Sequence, residues 1–360
     1  AYKNSNILNQ LKETFFHDTN LTDENLTADS VDLNEYEREV FIRFLFSALT
    51  DADWLDTERH FDREKYERRP RVELNHKLLS EKLEKEINSK SKEGWINDLR
   101  NKVRDYAITK SQDETGFYSM TLPTGMGKTL ASVSWALYHA AKNNLRRIII
   151  VLPYISIIDQ TASELKRIFG EENVLEHHSS YAEDEKTLQE IHDETIQNED
   201  QIKRLATENW DFPIIVTTTV QFFESLFSNK PSRCRKVHNV AQSVVIFDEV
   251  QTLPKEILLP TLEILKNIQK VMSTSFLFCT ATLPAFEKRE KFDGIENIKP
   301  LVANPVEIYL KSRRVNYFAV NDYQSIEMDF LYEKVLKQNT SVLCILNTKQ
   351  KAREFSSFLE

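Results

Sequence analysis

With 360 residues the chain is too long for one ordinary domain, and two or three are expected. A hydrophobic content of 41% supplies packed cores and excludes a wholly disordered polymer. The formal net charge of −9 argues against a surface coated in positive charge for indiscriminate nucleic-acid binding, while leaving room for a local basic groove. Cys234, Cys279 and Cys344 are too scattered for paired zinc spacing and suit buried thiols in a reducing compartment. No apolar run reaches the length of a membrane span and no signal peptide is visible, so the expectation is a soluble cytoplasmic protein with no membrane partner. The chain starts at Ala1 rather than Met and ends at Glu360 within a helical pattern, which leads us to expect a piece of a longer protein.

Taken in chain order, the first elements are helical. From Glu35 to Thr57, Tyr36, Val40, Phe41, Phe44, Leu45 and Ala48 recur at spacings of three and four, which predicts an amphipathic helix between polar loops. Leu74 to Ile87 predicts a second helix whose alternating Lys and Glu form a solvated face with helical ion pairs. Trp95 to Ile108 predicts a third, carrying Arg100 and Arg104, two candidates for stacking on a base between which the sequence does not decide. With no strand yet, residues 1–90 read as a helical region.

The texture then changes. Phe117 to Leu122 predicts a strand that runs into Thr121-Leu-Pro-Thr-Gly-Met-Gly-Lys-Thr129. This segment reads as a phosphate-binding loop. Thr124, Gly125, Met126 and Gly127 would bring backbone N–H groups around phosphate oxygens, Lys128 a fixed charge to the β/γ-phosphates, and Thr129 a hydroxyl to Mg²⁺. Leu130 to Ala141 has helix-forming composition, so a helix N-terminus would face the anion. The fullest loop pattern wants glycine at Leu122; a chance glycine–lysine turn is the plain alternative. Arg147–Pro153, Pro213–Thr219, Ser243–Glu249 and Ser275–Thr280 are apolar, β-branched runs separated by helical stretches, as expected for strands buried on both faces of a parallel sheet. The fold class predicted for 91–310 is therefore doubly wound α/β, with ligands at the carboxyl ends of its strands. Tyr181 to Glu208 is polar and acidic and reads as a surface insertion with one helix face. From 311 onward a strand at Val315–Ala319, a helix over Ile326–Lys337, a strand at Ser341–Leu346 and a helix from Lys351 to Leu359 predict the start of a second α/β domain, cut short.

Asp248-Glu-Val-Gln251 follows an apolar strand and strengthens the phosphate-loop reading. A carboxylate at a strand end can hold Mg²⁺ opposite Thr129, and the adjacent Glu249 can polarise a water aimed at the γ-phosphate. Thr280-Ala-Thr282 follows the next strand, where hydroxyls could hydrogen-bond Gln251 and sense the nucleotide state. Loop, Asp-Glu and Thr-Ala-Thr in that order on separate strands are far more specific together than any one alone.

Pro123–Thr129, Leu152-Pro-Tyr-Ile-Ser-Ile-Ile-Asp-Gln160, Asp248-Glu-Val-Gln-Thr-Leu-Pro254 and Cys279-Thr-Ala-Thr-Leu-Pro284 resemble superfamily 2 helicases, and more closely the CRISPR-associated helicase–nucleases of type I interference. Phe46 to Glu58 resembles the final helix of the HD nuclease domain that precedes the motor in that family. The resemblance implies a RecA-like sheet over 91–310, the C-terminal part of an HD domain over 1–90 and the start of a second RecA-like domain over 311–360. It implies an ATP-driven single-stranded DNA translocase, fused to a nuclease and recruited by an RNA-guided CRISPR surveillance complex.

Carried across residue by residue, the resemblance makes Lys128 and Thr129 the ligands of phosphate and Mg²⁺. Asp248 and Glu249 become the metal-holding and water-activating carboxylates, while Gln251, Thr280 and Thr282 couple nucleotide state to DNA grip. Pro153-Tyr154 and Thr217–Thr219 would touch the DNA backbone, and Asp53 is the one candidate ligand here for the HD domain's divalent transition metal. His17-Asp18 lacks the helical setting of an HD pair. His177-His178 lacks a third ligand at suitable sequence spacing, which favours a structural role. The arginine-bearing motif of the second domain is expected beyond Glu360. An RNA helicase of the DEAD/DEAH type, and a nucleotide-binding module without productive turnover, remain open alternatives.

Overall fold

The computed structural model describes residues 32–90, 93–178, 194–253, 255–281, 286–313, 315–316 and 327–359. The chain divides into two compact units, 1–312 and 313–360. In the first unit, helices α1 (Glu35–Phe61), α2 (Arg63–Arg68), α3 (His76–Ser89) and α4 (Trp95–Thr109) precede strand β1 (Phe117–Thr121). There follow α5 (Lys128–Asn143), β2 (Arg147–Leu152), α6 (Ile155–Phe169), β3 (Val174–His177), α7 (Glu194–Asn209), β4 (Ile214–Thr218), α8 (Thr219–Phe227) and the single turn α9 (Pro231–Cys234). The unit closes with β5 (Ser243–Phe247), α10 (Leu258–Met272), β6 (Ser275–Thr280), β7 (Ile298–Pro300) and α11 (Pro305–Lys311).

The strands form one sheet in the order β3-β4-β2-β5-β6-β1-β7, and every pairing is parallel. Side chains alternate across a strand, so each apolar run supplies two cores. Ile148, Ile150 and Leu152 of β2 point to one side with Ile214, Val216, Val244, Ile246, Leu277 and Cys279. Ile149 and Val151 point to the other with Ile215, Val245, Phe247, Phe276 and Phe278. The first side is covered by apolar residues of α3, α4, α5 and α6, the second by those of α1, α8 and α10. This is the doubly wound α/β arrangement expected from the run composition. Two strands escaped the sequence reading. β3 and β7 form the sheet edges and are four and three residues long. A strand so short gives no periodicity to detect.

α1 starts on a capping box in which the Asn34 side chain accepts from the Glu37 amide and the Glu37 carboxylate accepts from the Asn34 amide. Only part of its expected apolar face is used. Val40 and Phe44 are buried against the second core, whereas Tyr36, Phe41 and Leu45 are exposed. α1 reaches the sheet on one side and α3 on the other, so residues 35–90 contribute to both cores of the unit. The stretch read as a surface insertion, Tyr181 to Glu208, is only partly described: α7 spans its end, and Leu205 and Ala206 there are buried rather than superficial. In the second unit, α12 (Met328–Leu336) and α13 (Lys349–Leu359) meet through Tyr332 and Phe358, with Phe355 buried. The strand expected at Ser341–Leu346 is not formed. Its residues belong to no ladder, and Leu343 and Ile345 are about 85% exposed. A strand needs a neighbour to hydrogen-bond and a layer to cover it; no described residue supplies either. Of the strand expected at Val315–Ala319, Val315 and Asn316 are unpaired coil, while Tyr317, Phe318 and Ala319 lie outside the described residues, as does His17-Asp18.

An ion network joins the first helices to the sheet's α7 and the loop after α9. Asp51 receives Arg235 at 2.7 Å and the Asn209 side-chain amide at 3.1 Å; Arg235 also reaches Glu208 at 3.0 Å. Arg69, buried, bridges Glu208 and Glu58, and Lys65 adds to Glu58 at 2.8 Å. Burial alone would raise the Glu58 pKa, but the Arg69 and Lys65 charges outweigh it and bring the carboxyl from 4.5 down to about 2. A depressed carboxyl stabilises the fold fully above its unfolded pKa and loses that contribution as pH falls through its folded one. Glu58→Gln should cost about 2 kcal/mol at neutral pH, because it leaves a buried guanidinium short of one counter-charge. Thermal denaturation against pH checks this. The gap between wild type and variant is expected to be constant above about pH 5 and to close towards pH 2.

Candidate functional site

The residues singled out by the sequence gather at the carboxyl ends of β1, β5 and β6, which are near neighbours in the sheet. β1 leads into a turn anchored by the Leu122 amide on the Thr280 carbonyl at 3.1 Å and the Met126 amide on the Pro123 carbonyl at 3.3 Å. Met126 is buried beneath the loop, so it is a packing anchor, whereas Thr124 and Gly125 are exposed. Gly125 and Gly127 take φ of +77° and +76°. A side chain at Gly127 would meet only ordinary contacts from Arg100, so glycine is required there by the left-handed backbone rather than by space. Gly127 caps α5, whose first amides have no partner within the helix and open toward the loop.

Lys128 begins α5. Its ammonium lies 2.7 Å from Glu249 Oε1 and 2.9 Å from Asp248 Oδ1. Burial would lower the lysine pKa, but the two carboxylates outweigh it and raise it above the ordinary value. The reciprocal effect holds at Glu249: burial pushes the carboxyl up, while Lys128 and the Gln251 amide together bring it below the usual range. Glu249 itself sits at φ +49°, a left-handed conformation that a β-carbon disfavours. Asp248 fixes this turn by accepting the Glu249 amide at 2.9 Å, and its own amide donates to the Val151 carbonyl of β2 at 3.0 Å. Gln251 Nε2 then donates to Glu249 Oε2 at 2.6 Å, while Gln251 Oε1 accepts from the Thr280 hydroxyl at 2.6 Å. A continuous polar chain thus runs Lys128–Glu249–Gln251–Thr280 across three strand ends. Thr129 lies on the first turn of α5 beside Lys128, and Thr282 lies outside the described residues.

Lys128, Thr129 and Glu249 border a cavity of about 650 Å³ that they share with Asn97, Arg100 and Arg104 of α4 and the loop that begins at Pro123. Its size suits a nucleotide-sized ligand. The cradle of positive-φ glycines, the open helix N-terminus and a lysine held by two carboxylates fit a phosphate group; Thr129 and Asp248 could hold a hydrated Mg²⁺. Of the two arginines considered for base stacking, Arg104 is engaged by Glu84 and by the Ser134 hydroxyl at 2.9 Å. Arg100 instead lies across the loop, donating to the Gly125 carbonyl at 3.1 Å and to Asn97 Oδ1 at 2.9 Å. That clamp on the loop was invisible in sequence, because it joins residues 25 apart through a side-chain–backbone bond.

Nearby strand ends differ in availability. Tyr154, after β2, is 58% exposed. Thr217 is buried with its hydroxyl on the His177 carbonyl at 2.9 Å, and Thr218 caps α8 through the Gln221 amide; only Thr219 of that trio reaches the surface. Asp53 projects outward from α1 and is in no group of three potential metal ligands among the described residues, while Asp51, two residues earlier, is buried.

The sequence pattern of the family described as DEAD/DEAH box helicase matches residues 103–290. The putative CRISPR-associated nuclease/helicase Cas3 of Methanocaldococcus jannaschii is 32% identical over 279 residues, covering 70% of this chain and 36% of that protein. The CRISPR-associated nuclease/helicase Cas3 of Haloferax volcanii is 29% identical over 288 residues, covering 73% of this chain and 30% of that one. Among solved structures, T. fusca Cas3 with AMPPNP aligns with a TM-score of 0.43 and 17% identity over 53% of this chain and 21% of its own. The DUF1998 helicase MrfA aligns with a TM-score of 0.43 and 13% identity over 79% and 40%. The chain spans about a third of the length of the curated relatives it matches.

Since Lys128 is held by two carboxylates, an incoming phosphate must compete for it. Glu249→Gln removes one competitor and its negative charge while keeping the shape. Affinity for a non-hydrolysable Mg²⁺–nucleotide, read by calorimetry, is expected to rise on the order of tenfold. Unchanged or weaker affinity would contradict the competition.

Proposed function

The chain belongs to the DEAD/DEAH box helicase family, and from that membership we propose that it carries the ATP-hydrolysing half of a nucleic-acid motor. The observation that supports this best is the chain of contacts from Lys128 through Glu249 and Gln251 to Thr280. Lys128 and the α5 amides would hold the phosphates, and Thr129 and Asp248 the Mg²⁺. Bound Mg-ATP supplies the phosphoryl group and the charge that these side chains neutralise. Glu249 would orient a water and accept its proton as the water oxygen bonds to the γ-phosphorus and the bond from that phosphorus to the β–γ bridging oxygen breaks, releasing ADP and phosphate. Gln251 touches both Glu249 and Thr280, so a change in the carboxylate's partner is felt at the next strand end. That is the coupling proposed for Gln251, Thr280 and Thr282.

The polynucleotide is proposed to lie beyond β5, over the ends of β2 and β4. Tyr154 and Thr219 present a ring and a hydroxyl there, and the Thr219 hydroxyl also donates to the Leu152 carbonyl at 3.3 Å, linking the two loops. Hydroxyls, amides and aromatic faces can grip a single strand without a strongly basic surface, consistent with a net charge of −9. The finer reading rests on the relatives' names and on the four motif segments. It is a single-stranded DNA translocase in a longer protein with an HD nuclease, acting in CRISPR type I target degradation alongside an RNA-guided surveillance complex. In that reading Asp53 would belong with the nuclease's divalent transition metal. No helix among the described residues is long and apolar enough to cross a membrane.

In the full-length protein, Lys128→Ala is expected to abolish nucleic-acid-stimulated ATP hydrolysis, a loss of at least a hundredfold. Comparing single-stranded DNA with RNA as the activator assigns the substrate. Full hydrolysis in the variant would overturn the motor reading, and stimulation by RNA alone would replace the translocase with an RNA helicase.

A further inference from the structure

The opposite edge of the sheet carries a group that the nucleotide site does not use. Glu176 lies on β3 and His178 just past its end, two residues apart and therefore on the same side of the strand. Asp159 comes from the second turn of α6. One ligand atom from each of the three lies within 4.8 Å of the others. His178 Nε2 is 3.1 Å from Glu176 Oε1 and 3.6 Å from Asp159 Oδ1. Donors bound to one first-row ion at about 2.0–2.2 Å stand roughly 2.9–3.5 Å apart, so these separations are close to the edges of a coordination polyhedron.

Charge and placement agree with an ion. Glu176 keeps its second oxygen on the Lys166 ammonium at 2.7 Å, which steers the carboxylate and leaves Oε1 facing His178. Glu176 and His178 are nearly buried, with side chains 12% and 8% exposed, so their geometry is set by the fold, whereas Asp159 is 64% exposed and leaves an entry path. Two carboxylates against one ammonium give the cluster a residual negative charge around a nitrogen donor. Imidazole with two carboxylate oxygens suits a divalent transition ion better than Mg²⁺, which takes oxygen ligands and keeps its waters. In sequence, His177-His178 has no third ligand at suitable spacing, which favours a structural role. The carboxylates that join His178 come from a preceding residue and from a different element, while His177 is turned inward, accepting from the Trp210 indole at 2.9 Å.

We propose that Asp159, Glu176 and His178 bind a divalent first-row transition-metal ion that clips α6 to the edge strand β3. α6 follows directly from the Pro153-Tyr154 turn, so the ion would brace the helix behind that loop.

The test is a Co²⁺ titration of this chain in excess Mg²⁺, read by visible ligand-field absorption, with Zn²⁺-dependent thermal denaturation beside it. The expected result is a saturable signal with one ion per chain and a rise of several degrees in the midpoint. Both effects should vanish in Asp159→Asn, an exposed substitution that spares the core, and in His178→Ala, while Asp248→Asn retains them. No saturable absorption in the wild-type chain would overturn the site and leave the cluster as a hydrogen-bonded ion pair. Persistence of the signal in Asp159→Asn and His178→Ala, or its loss in Asp248→Asn, would place the ion elsewhere and equally overturn it.

Discussion

The Lys128 ammonium, held between the Asp248 and Glu249 carboxylates, is the interaction around which the first unit is organised. The lysine and its acids are about 120 residues apart in sequence, and the parallel sheet, which places β5 and β1 with β6 between them, brings those loops together. A parallel sheet in turn requires crossover helices on both faces and strands apolar on both sides. The long apolar runs, the flanking helices and the polar strand ends are consequences of assembling that one charged cluster. The cluster is partly buried, so its charged groups need partners whether or not a ligand is bound. Lys128 offsets one of the two carboxylates, Gln251 donates to the second oxygen of Glu249, and Thr280 donates in turn to the Gln251 side-chain oxygen.

The same sheet explains why the helices before β1 are not a passive preface. α1 packs on one face and α3 on the other, and the Asp51–Arg235 and Arg69–Glu208 pairs fasten them to elements after β3. A buried pair of this kind adds little net stability against an apolar substitute, but losing one partner is costly. The arrangement therefore fixes the position of α1 more than it strengthens the fold. α1 also leaves Phe41, Ile42, Leu45 and Leu49 exposed, a band of apolar surface on a helix whose opposite side is already used.

How much of this was legible in the sequence follows from the range of each interaction. Five strands of the first unit were readable because a compact apolar or aromatic run, β-branched in β2, β4 and β5, is a local signal, and the loop at Thr121 to Thr129 was readable because glycine, lysine and threonine stand at fixed spacing. β3 and β7 were not, since an edge strand of three or four residues is defined by its neighbour rather than its composition. Asp53 stood out on α1 only as an acid in the right segment; burial, which sequence does not display, belongs to Asp51. Arg100 was placed near the nucleotide by its helix, but its grip on the Gly125 carbonyl depends on how α4 meets the loop. The expected strand at Ser341–Leu346 failed for the converse reason: a strong local pattern makes no sheet without a partner strand.

In the proposed motor a nucleotide phosphate and Glu249 compete for Lys128, and Gln251 carries the outcome to Thr280. A structure of this chain with a Mg²⁺-bound, non-hydrolysable ATP analogue tests it directly. The expected result is Lys128 moved onto phosphate oxygens, Glu249 released toward the γ-phosphate, and the Gln251–Thr280 hydrogen bond altered from its 2.6 Å geometry. An analogue bound in the 650 Å³ cavity with Lys128 still on Glu249 and Gln251 unmoved would contradict it.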